Sequence, residues 1–351
     1  MSMTTVAIPA DQVDYLIATA ARAPSIHNTQ PWRFYVSRYT IELYADPRRK
    51  LRVDPVGREL VISCGAALFG LRLAVRSLGY LPEVELLPDP PQLLARVRLG
   101  AEAPMTDAEW RMLQALPHRH THRGPFDARP LPDGLLAGLQ RDAFAEGATL
   151  ALVEPAMAYQ RLADIVTAAS RRQDLDPVAQ AEVRRWIRPV DSAARDGVPA
   201  RAIAARPLPG WAGGQRGRLR QRDFDLGRGL GTLPVEGPSA AATAVLVTRG
   251  DGQADWLHAG QALHRLLAHA ADRWVFASLY TQPMEAAAIR DLIRSRLALP
   301  GFPEMLLQFG PAQTTQATAR RPPTDLIEPA RKAPRSPDAA RSRPSRWSHR
   351  A

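Results

Sequence analysis

Cysteine is nearly absent. Cys64 stands alone in 351 residues, which excludes an intramolecular disulfide and leaves a reducing compartment permitted. Lysine is almost as scarce: of 46 basic residues only Lys50 and Lys332 are lysines, so the positive charge is carried by guanidinium groups suited to planar, bidentate contacts with anions. Long apolar runs are missing too. The longest, near AAATAVLV at 240 to 247, is too short to cross a bilayer, and the opening MSMTTVAIPADQ has neither a basic start nor an apolar core. The expectation is a soluble cytoplasmic protein with no membrane partner.

What is present is globular in composition, with 45% apolar and 23% charged residues. The formal charge is +11, of which residues 330–351 carry +6, leaving +5 for everything before them. A body this mildly basic argues against a nucleic-acid partner, and the Pro/Ser/Arg-rich 330–351 reads as a disordered basic tail. The length fits two domains or one domain-sized unit repeated.

A repeat is visible. PADQVDYLIATAARA (9–23) spaces apolar residues for a Pro-led helix, WRFYVSRYTIELYA (32–45) reads as a strand, and 58–80 as a long helix buried along much of its length. Strands are expected at 84–87 and 95–99. The order then recurs: a Pro-led helix at 130–145, strand TLALVE, strand 241–248, a long helix from Ala254 to Phe276, and a last strand at 304–309. Gly65, Ala67, Leu68 and Leu71 match Gly260, Ala262, Leu263 and Leu266 at one constant offset of 195. The fold class expected is α+β, two tandem units with helices around a mixed or antiparallel sheet, divided at 1–115 and 116–329. Residues 171–237, rich in Arg, Gly and Pro and helical near 178–188, read as a lid inserted into the second half.

Two stretches are dense in polar chemistry. APSIHNTQPWRF (23–34) follows a helix and can present Ser25, His27, Asn28 and Gln30 to a planar polar ligand. HRHTHRGPF (118–126) sets Arg119, Thr121 and Arg123 at alternate positions, so two guanidinium groups and a hydroxyl can fix a phosphate. No carboxylate or thiol completes a metal site around His118, His120 and His122. GRGLGT (227–232) lacks the strand and helix of a dinucleotide fingerprint and reads as a hinge. Cys64 reads as a buried inert thiol, and His258, His264 and His269 as surface or groove residues.

The first stretch resembles the APSxxNxQPW segment of the nitroreductase superfamily of FMN oxidoreductases, and its His-Asn-Thr-Gln form is most similar to the Acg-type branch. The second resembles the superfamily's R-x-S-x-R opening, with Thr121 in place of Ser. By resemblance, Arg119 and Thr121 hold the flavin phosphate, Arg123 reaches the pyrimidine edge and stabilises the reduced ring, and Ser25, His27 and Asn28 meet the ring edge. TQPME (281–285) resembles the P-x-E segment, which assigns Pro283, Met284 and Glu285 to the cofactor, although an ordinary helix N-terminus fits the same residues. Arg320 or Arg321 of RRPPTD resembles the terminal basic pair. Each half holds only part of the set, so one site can be assembled. The resemblance thus implies a monomeric fused pseudo-dimer, with further association left open. It would bind one FMN and pass hydride from NAD(P)H to a small-molecule electron acceptor, a quinone or nitroaromatic. The alternative is a flavin-sequestering protein whose closed lid leaves little reductase activity.

Overall fold

The computed structural model describes residues 6–154, 156–203, 219–229, 241–312 and 318–329. The tail at 330–351, two stretches of the insertion and the end of GRGLGT lie outside the described residues.

The first half runs α1 (Val13–Ala20), β1 (Trp32–Val36), β2 (Ile41–Ala45), α2 (Arg58–Ser77), β3 (Tyr80–Leu86), β4 (Leu93–Glu102) and α3 (Asp107–Ala115). Where the sequence predicts one strand over 32–45, the chain folds back as a hairpin, because Ser37 N donates to Thr40 O and the two hydroxyls bond at 2.8 Å. α3 is unforeseen. Its start is a capping box in which Thr106 and Glu109 satisfy each other's backbone amides.

The second half runs α4 (Leu135–Ala145), β5 (Thr149–Leu152), α5 (Ala156–Asp174), α6 (Pro177–Trp186), β6 (Ile187–Arg188), β7 (Val198–Pro199), β8 (Ala242–Thr248), α7 (Gln253–Asp272), β9 (Val275–Tyr280), α8 (Ala287–Arg296), β10 (Phe302–Pro311) and β11 (Ile327–Glu328). α7 stops at Asp272 rather than running to Phe276: Trp274 takes a φ of +54° and turns the chain into β9, whose VFASLY is rich in the branched and aromatic residues that suit a pleated surface.

The two halves share one topology. The strand order β1-β2-β4-β3 in the first sheet reappears as β5-β8-β10-β9 in the second, with antiparallel pairing throughout these eight strands. In each, two strands precede the long helix and two follow it. β11 then crosses back to lie parallel to β1 at the edge of the first sheet, which makes that sheet mixed.

α2 packs on the first sheet, α7 on the second, and the two helices pack on each other. α2 is long and apolar enough to span a membrane by length and composition, but it is buried on nearly every side as the core helix of this fold. The matched leucines Leu68, Leu71, Leu263 and Leu266 all lie in this core, each contributing roughly 1.5–3 kcal/mol relative to exposure. Cys64 is fully buried beside them, and burial pushes its thiol well above the usual range.

The hairpin between β1 and β2 is short, whereas residues 153–241 separate β5 from β8. The insertion therefore begins at the end of β5 rather than at 171, and its first element is α5, which buries Leu162 and Val166 in a small core with Met284 and Ile293. α6 falls where a helix is expected.

Candidate functional site

The loop after α1 is held in an uncommon backbone shape. His27, Asn28 and Gln30 have φ values of +49°, +55° and +49°, a region that non-glycine residues adopt only when neighbours over-determine it. The neighbours are identifiable. Asn28 Nδ2 donates to Gly197 O and Ala319 O, both at 3.0 Å, and its Oδ1 accepts from Arg320 Nη1 at 3.1 Å. Gln30 Nε2 donates to Arg195 O at 2.8 Å, and its Oε1 accepts from Arg321 N at 2.8 Å. Both amides thus tie the loop to the insertion and to the C-terminal segment, instead of facing a planar ligand.

His27 does face a cavity. The cavity opens to solvent and is lined by residues from several parts of the chain. The first half supplies Ser25 and His27, with Glu59 and Ser63 of α2; the second half supplies Thr121, Arg123, Ser278 and Gln282. The insertion supplies Gln221, Arg222 and Phe224. Phe224 sets its ring edge-on to His27 at 5.6 Å and beneath the guanidinium of Arg123 at 5.4 Å. Burial, helped by the charges of Arg222 and Arg123, holds His27 well below its usual pKa, so the ring is neutral at pH 7, and its Nε2 has no partner among the described residues. Burial also lowers Arg123 to about 10, which leaves it charged.

Of the residues at alternate positions in 118–123, Thr121 and Arg123 line the cavity and Arg119 does not. Thr121 bridges to Ala277 of β9, so the segment extends that sheet edge. The histidines pack on aromatic rings: His118 stacks on Trp274 at 5.0 Å, His120 packs on Phe276 at 4.3 Å, and His122, which also lines the cavity, on Phe126 at 4.7 Å.

Beyond the cavity two guanidinium groups, those of Arg119 and Arg320, meet at the carbonyl oxygen of Arg22. Arg119 Nη2 donates to Arg22 O at 3.2 Å, while its Nε and Nη1 are buried without a partner among the described residues. Arg320 donates to Ala21 O at 2.9 Å and to Ala23 O at 3.1 Å. Burial and the neighbouring charges lower Arg119 to about 10 and Arg320 to about 9. Among the described residues no ion pair joins either to a carboxylate. Arg321 turns elsewhere and donates to Asp325 O. Of the basic pair, Arg320 is the one that meets Arg119.

The TQPME residues divide. Met284 is fully buried in the core, and the amides of Met284 and Glu285 both donate to Thr281 O. Glu285 is buried and paired with Arg222, and accepts from Gln173 Nε2 of α5 at 2.6 Å. It anchors the insertion. Thr281 and Gln282 are the members of this turn that line the cavity. The sequence reading misses Gln221, Arg222 and Phe224; RQRDFD, a charged cluster around a lone aromatic in a Gly/Pro/Arg-rich stretch, is the signal that could have found them. It also places His264 at the surface or in a groove, whereas the ring is fully buried between α7 and α2, with Nδ1 2.7 Å from Ala66 O.

The nitroreductase family model matches residues 4–52, the segment with α1, APSIHNTQPW and the β1–β2 hairpin. A Mycobacterium tuberculosis protein provisionally named an NAD(P)H nitroreductase is 32% identical over 330 residues, covering 91% of this chain and 92% of its own. This chain belongs to the nitroreductase family. A second relative from the same organism, provisionally named NAD(P)H nitroreductase acg, is 27% identical over 323 residues, 90% of this chain and 95% of its own. A nitroreductase-like protein of known structure from Bacillus cereus aligns at a TM-score of 0.35 and 14% identity, over 66% of this chain and all of that one. In this nitroreductase-family chain the family model covers the loop that carries Ser25 and His27, while Arg119, Thr121, Arg123 and Arg320 lie beyond it.

Proposed function

We propose that this chain is an NAD(P)H oxidoreductase that binds one FMN between its two halves and serves a small-molecule electron acceptor of the quinone or nitroaromatic kind in the cytoplasm. The observation that carries the reading is the pair of buried, unpartnered nitrogens of Arg119 beside Arg320: a cluster of cations lacking a carboxylate calls for an anion, and a phosphate monoester meets the bidentate geometry. The cavity near it, lined by both halves, is where the remainder of the cofactor would lie.

Bound there, FMN would supply the redox chemistry, uptake of hydride from a nicotinamide and delivery of electrons to an acceptor. The chain's own groups position and polarise. Arg119 and Arg320 hold the phosphate, with the Thr121 hydroxyl beside them. Arg123 keeps a positive charge at the cavity wall, the preorganised charge that favours an electron-rich ring. Ser25 and His27 offer polar edges from the other half, and Phe224 shields the cavity from water. Pro283, Met284 and Glu285 shape the turn that presents Gln282; Asn28 holds the loop, and Arg321 pins it through Gln30.

The buried Arg222–Glu285 pair favours a second reading, flavin storage with little turnover, because it fastens the insertion over the cavity. Absorbance of the purified protein tests the first claim, with one flavin per chain expected; none, or two per chain, overturns it. Arg119→Ala combined with Arg123→Ala gives a colourless protein. Stopped-flow bleaching by NADH or NADPH separates the two readings, since a slow or absent phase assigns storage.

A further inference from the structure

Glu59 is the second residue of α2, and its carboxyl belongs to a largely buried cluster with more acids than bases. Arg58 Nη1 donates to Glu59 Oε1 and Arg58 Nη2 to Glu304 Oε2, each at 2.5 Å, so one guanidinium serves two buried carboxyls. Asp251 lies 3.9 Å from Arg58 Nε and is itself paired with Arg290 at 2.8 Å. Asp54 closes the group by capping the start of α2. Four carboxyls thus share two guanidinium groups among the described residues, and buried acids in excess of their cations keep a proton. The hydrogen bonds distinguish the four. Asp54 accepts a backbone amide at each oxygen, from Arg58 N and Leu60 N. Asp251 accepts from Trp256 Nε1 and from Arg290, and Glu304 meets Arg58 at one oxygen and the Thr248 hydroxyl at the other. Glu59 alone has an oxygen, Oε2, with no bonded partner among the described residues. Glu59 is also the only one of the four that lines the cavity.

We infer that Glu59 is a catalytic residue of the reaction proposed above: its Oε2 carries a proton and gives it to an oxygen of a quinone held in the cavity. The inference rests on the FMN reading. Reduction of a quinone to a hydroquinone takes two electrons and two protons. Hydride brings both electrons and one proton, so the flavin is reoxidised and the quinone reduced to a monoanion. The second proton passes from Glu59: the carboxyl O–H breaks and a phenolic O–H forms. The carboxylate left behind stays bonded to Arg58 through Oε1 and regains its proton from solvent. The surroundings suit this task. Burial, with the charges of Asp54, Glu285 and Glu304 and against the pull of Arg58, raises Glu59 to about 7, the range in which a carboxyl both holds and releases a proton at neutral pH. The other charged side chains of the cavity wall are Arg123 and Arg222, which keep their protons, and His27 is neutral. Glu59 is therefore the acid that faces the acceptor.

The experiment takes the full chain with its flavin, reduces it with dithionite under anaerobic conditions, and mixes it in stopped flow with p-benzoquinone or with ferricyanide, which accepts electrons without a proton. In Glu59→Gln the benzoquinone phase should slow roughly a hundredfold, as for loss of a general acid, while the ferricyanide phase and the flavin content stay at wild-type values. The wild-type benzoquinone rate should fall up to about tenfold per pH unit above the Glu59 value of about 7, and the E59Q rate should stay flat. A second readout needs no turnover: infrared spectra of the full chain freed of flavin should show one protonated-carboxyl band that fades as pH rises through that value and that E59Q lacks. An unchanged benzoquinone rate, equal slowing with both acceptors, or no band separating wild type from E59Q overturns the inference and leaves the FMN reading standing. A chain that binds no flavin overturns both. If E59Q does not fold, the wild-type pH profiles decide, and parallel profiles for the two acceptors overturn the inference.

Discussion

Gly65 of α2 and Gly260 of α7 meet reciprocally: a Cβ on Gly65 would collide with the carbonyl oxygen of Leu257, and one on Gly260 with that of Ile62. Leu257 and Ile62 each stand three residues before a glycine, so the two collisions are related by the same offset of 195 that relates the halves. This is the form of a two-fold contact, in which one patch meets its own counterpart, written into one chain. It agrees with the shared strand order of the two sheets.

The crossing makes either glycine intolerant of a methyl. Gly65→Ala and Gly260→Ala should each cost about 1–3 kcal/mol, even though alanine favours a helix by ~1 kcal/mol over glycine. The double variant should cost less than the two together, because the first substitution already spreads the helices. Urea denaturation followed by circular dichroism measures this, and a change below ~0.5 kcal/mol for either single variant would contradict the close approach.

Arg222 and Glu285 form the latch of the insertion. Burial alone pushes Glu285 upward, against the pull of Arg222 and Gln173, so removing Arg222 strands a carboxyl in the interior. Arg222→Ala should loosen the insertion, raising its cleavage by trypsin and speeding flavin release at least tenfold. Glu285→Gln should do so less, since an amide keeps the bond to Gln173. Insertion cleavage that stays at the wild-type rate in both variants would show that the segment is held elsewhere.

Arg119 recognises phosphate in this reading, so its loss should act on FMN and spare riboflavin. Charge-assisted hydrogen bonds of this kind are worth about 1.5–3 kcal/mol, or roughly ten- to a hundredfold in affinity. Fluorescence titration of Arg119→Ala with both flavins gives the ratio directly, and equal weakening of the two would place Arg119 in general packing instead.

Glu59 makes stability depend on pH in the opposite sense from most carboxylates. Burial raises it from 4.5 to about 7, outweighing the attraction of Arg58. A folded-state value above the unfolded one means that this contribution is complete below pH 4.5 and is lost as pH rises through 7. Glu59→Gln, which imitates the protonated form, should therefore gain stability relative to wild type between pH 5 and 7.5. Thermal unfolding of both proteins across that range checks it; parallel curves would mean that Glu59 stays ionised.

Much of the fold is legible in the sequence because its signals are local. Pro-led amphipathic runs give α1 and α4, and the recurrence of Gly, Ala and Leu around Gly65 and Gly260 announces the repeat. The helix–strand border at Trp274 is not legible, because apolar residues continue unbroken from α7 into β9 and only the backbone angle marks the change. α3 carries its capping box in plain view, yet its face is short. At the site, Arg119, Thr121 and Arg123 can be read from alternation. The latch cannot, since Arg222 and Glu285 are joined across 63 positions by tertiary packing alone. His264 escapes for the same reason: nothing around it in sequence says that α2 closes over the ring.

β11 lies beside β1, in the sheet built by the opposite end of the polypeptide, and Arg320 sits seven residues before it. The strand therefore works as the buckle of a strap: by covering a sheet edge it fixes the reach of the segment that carries the guanidinium to Arg119. A stop codon at position 318 would strip away the edge strand and Arg320 in one event, and a change at the rim of the first sheet would be felt beside Arg119.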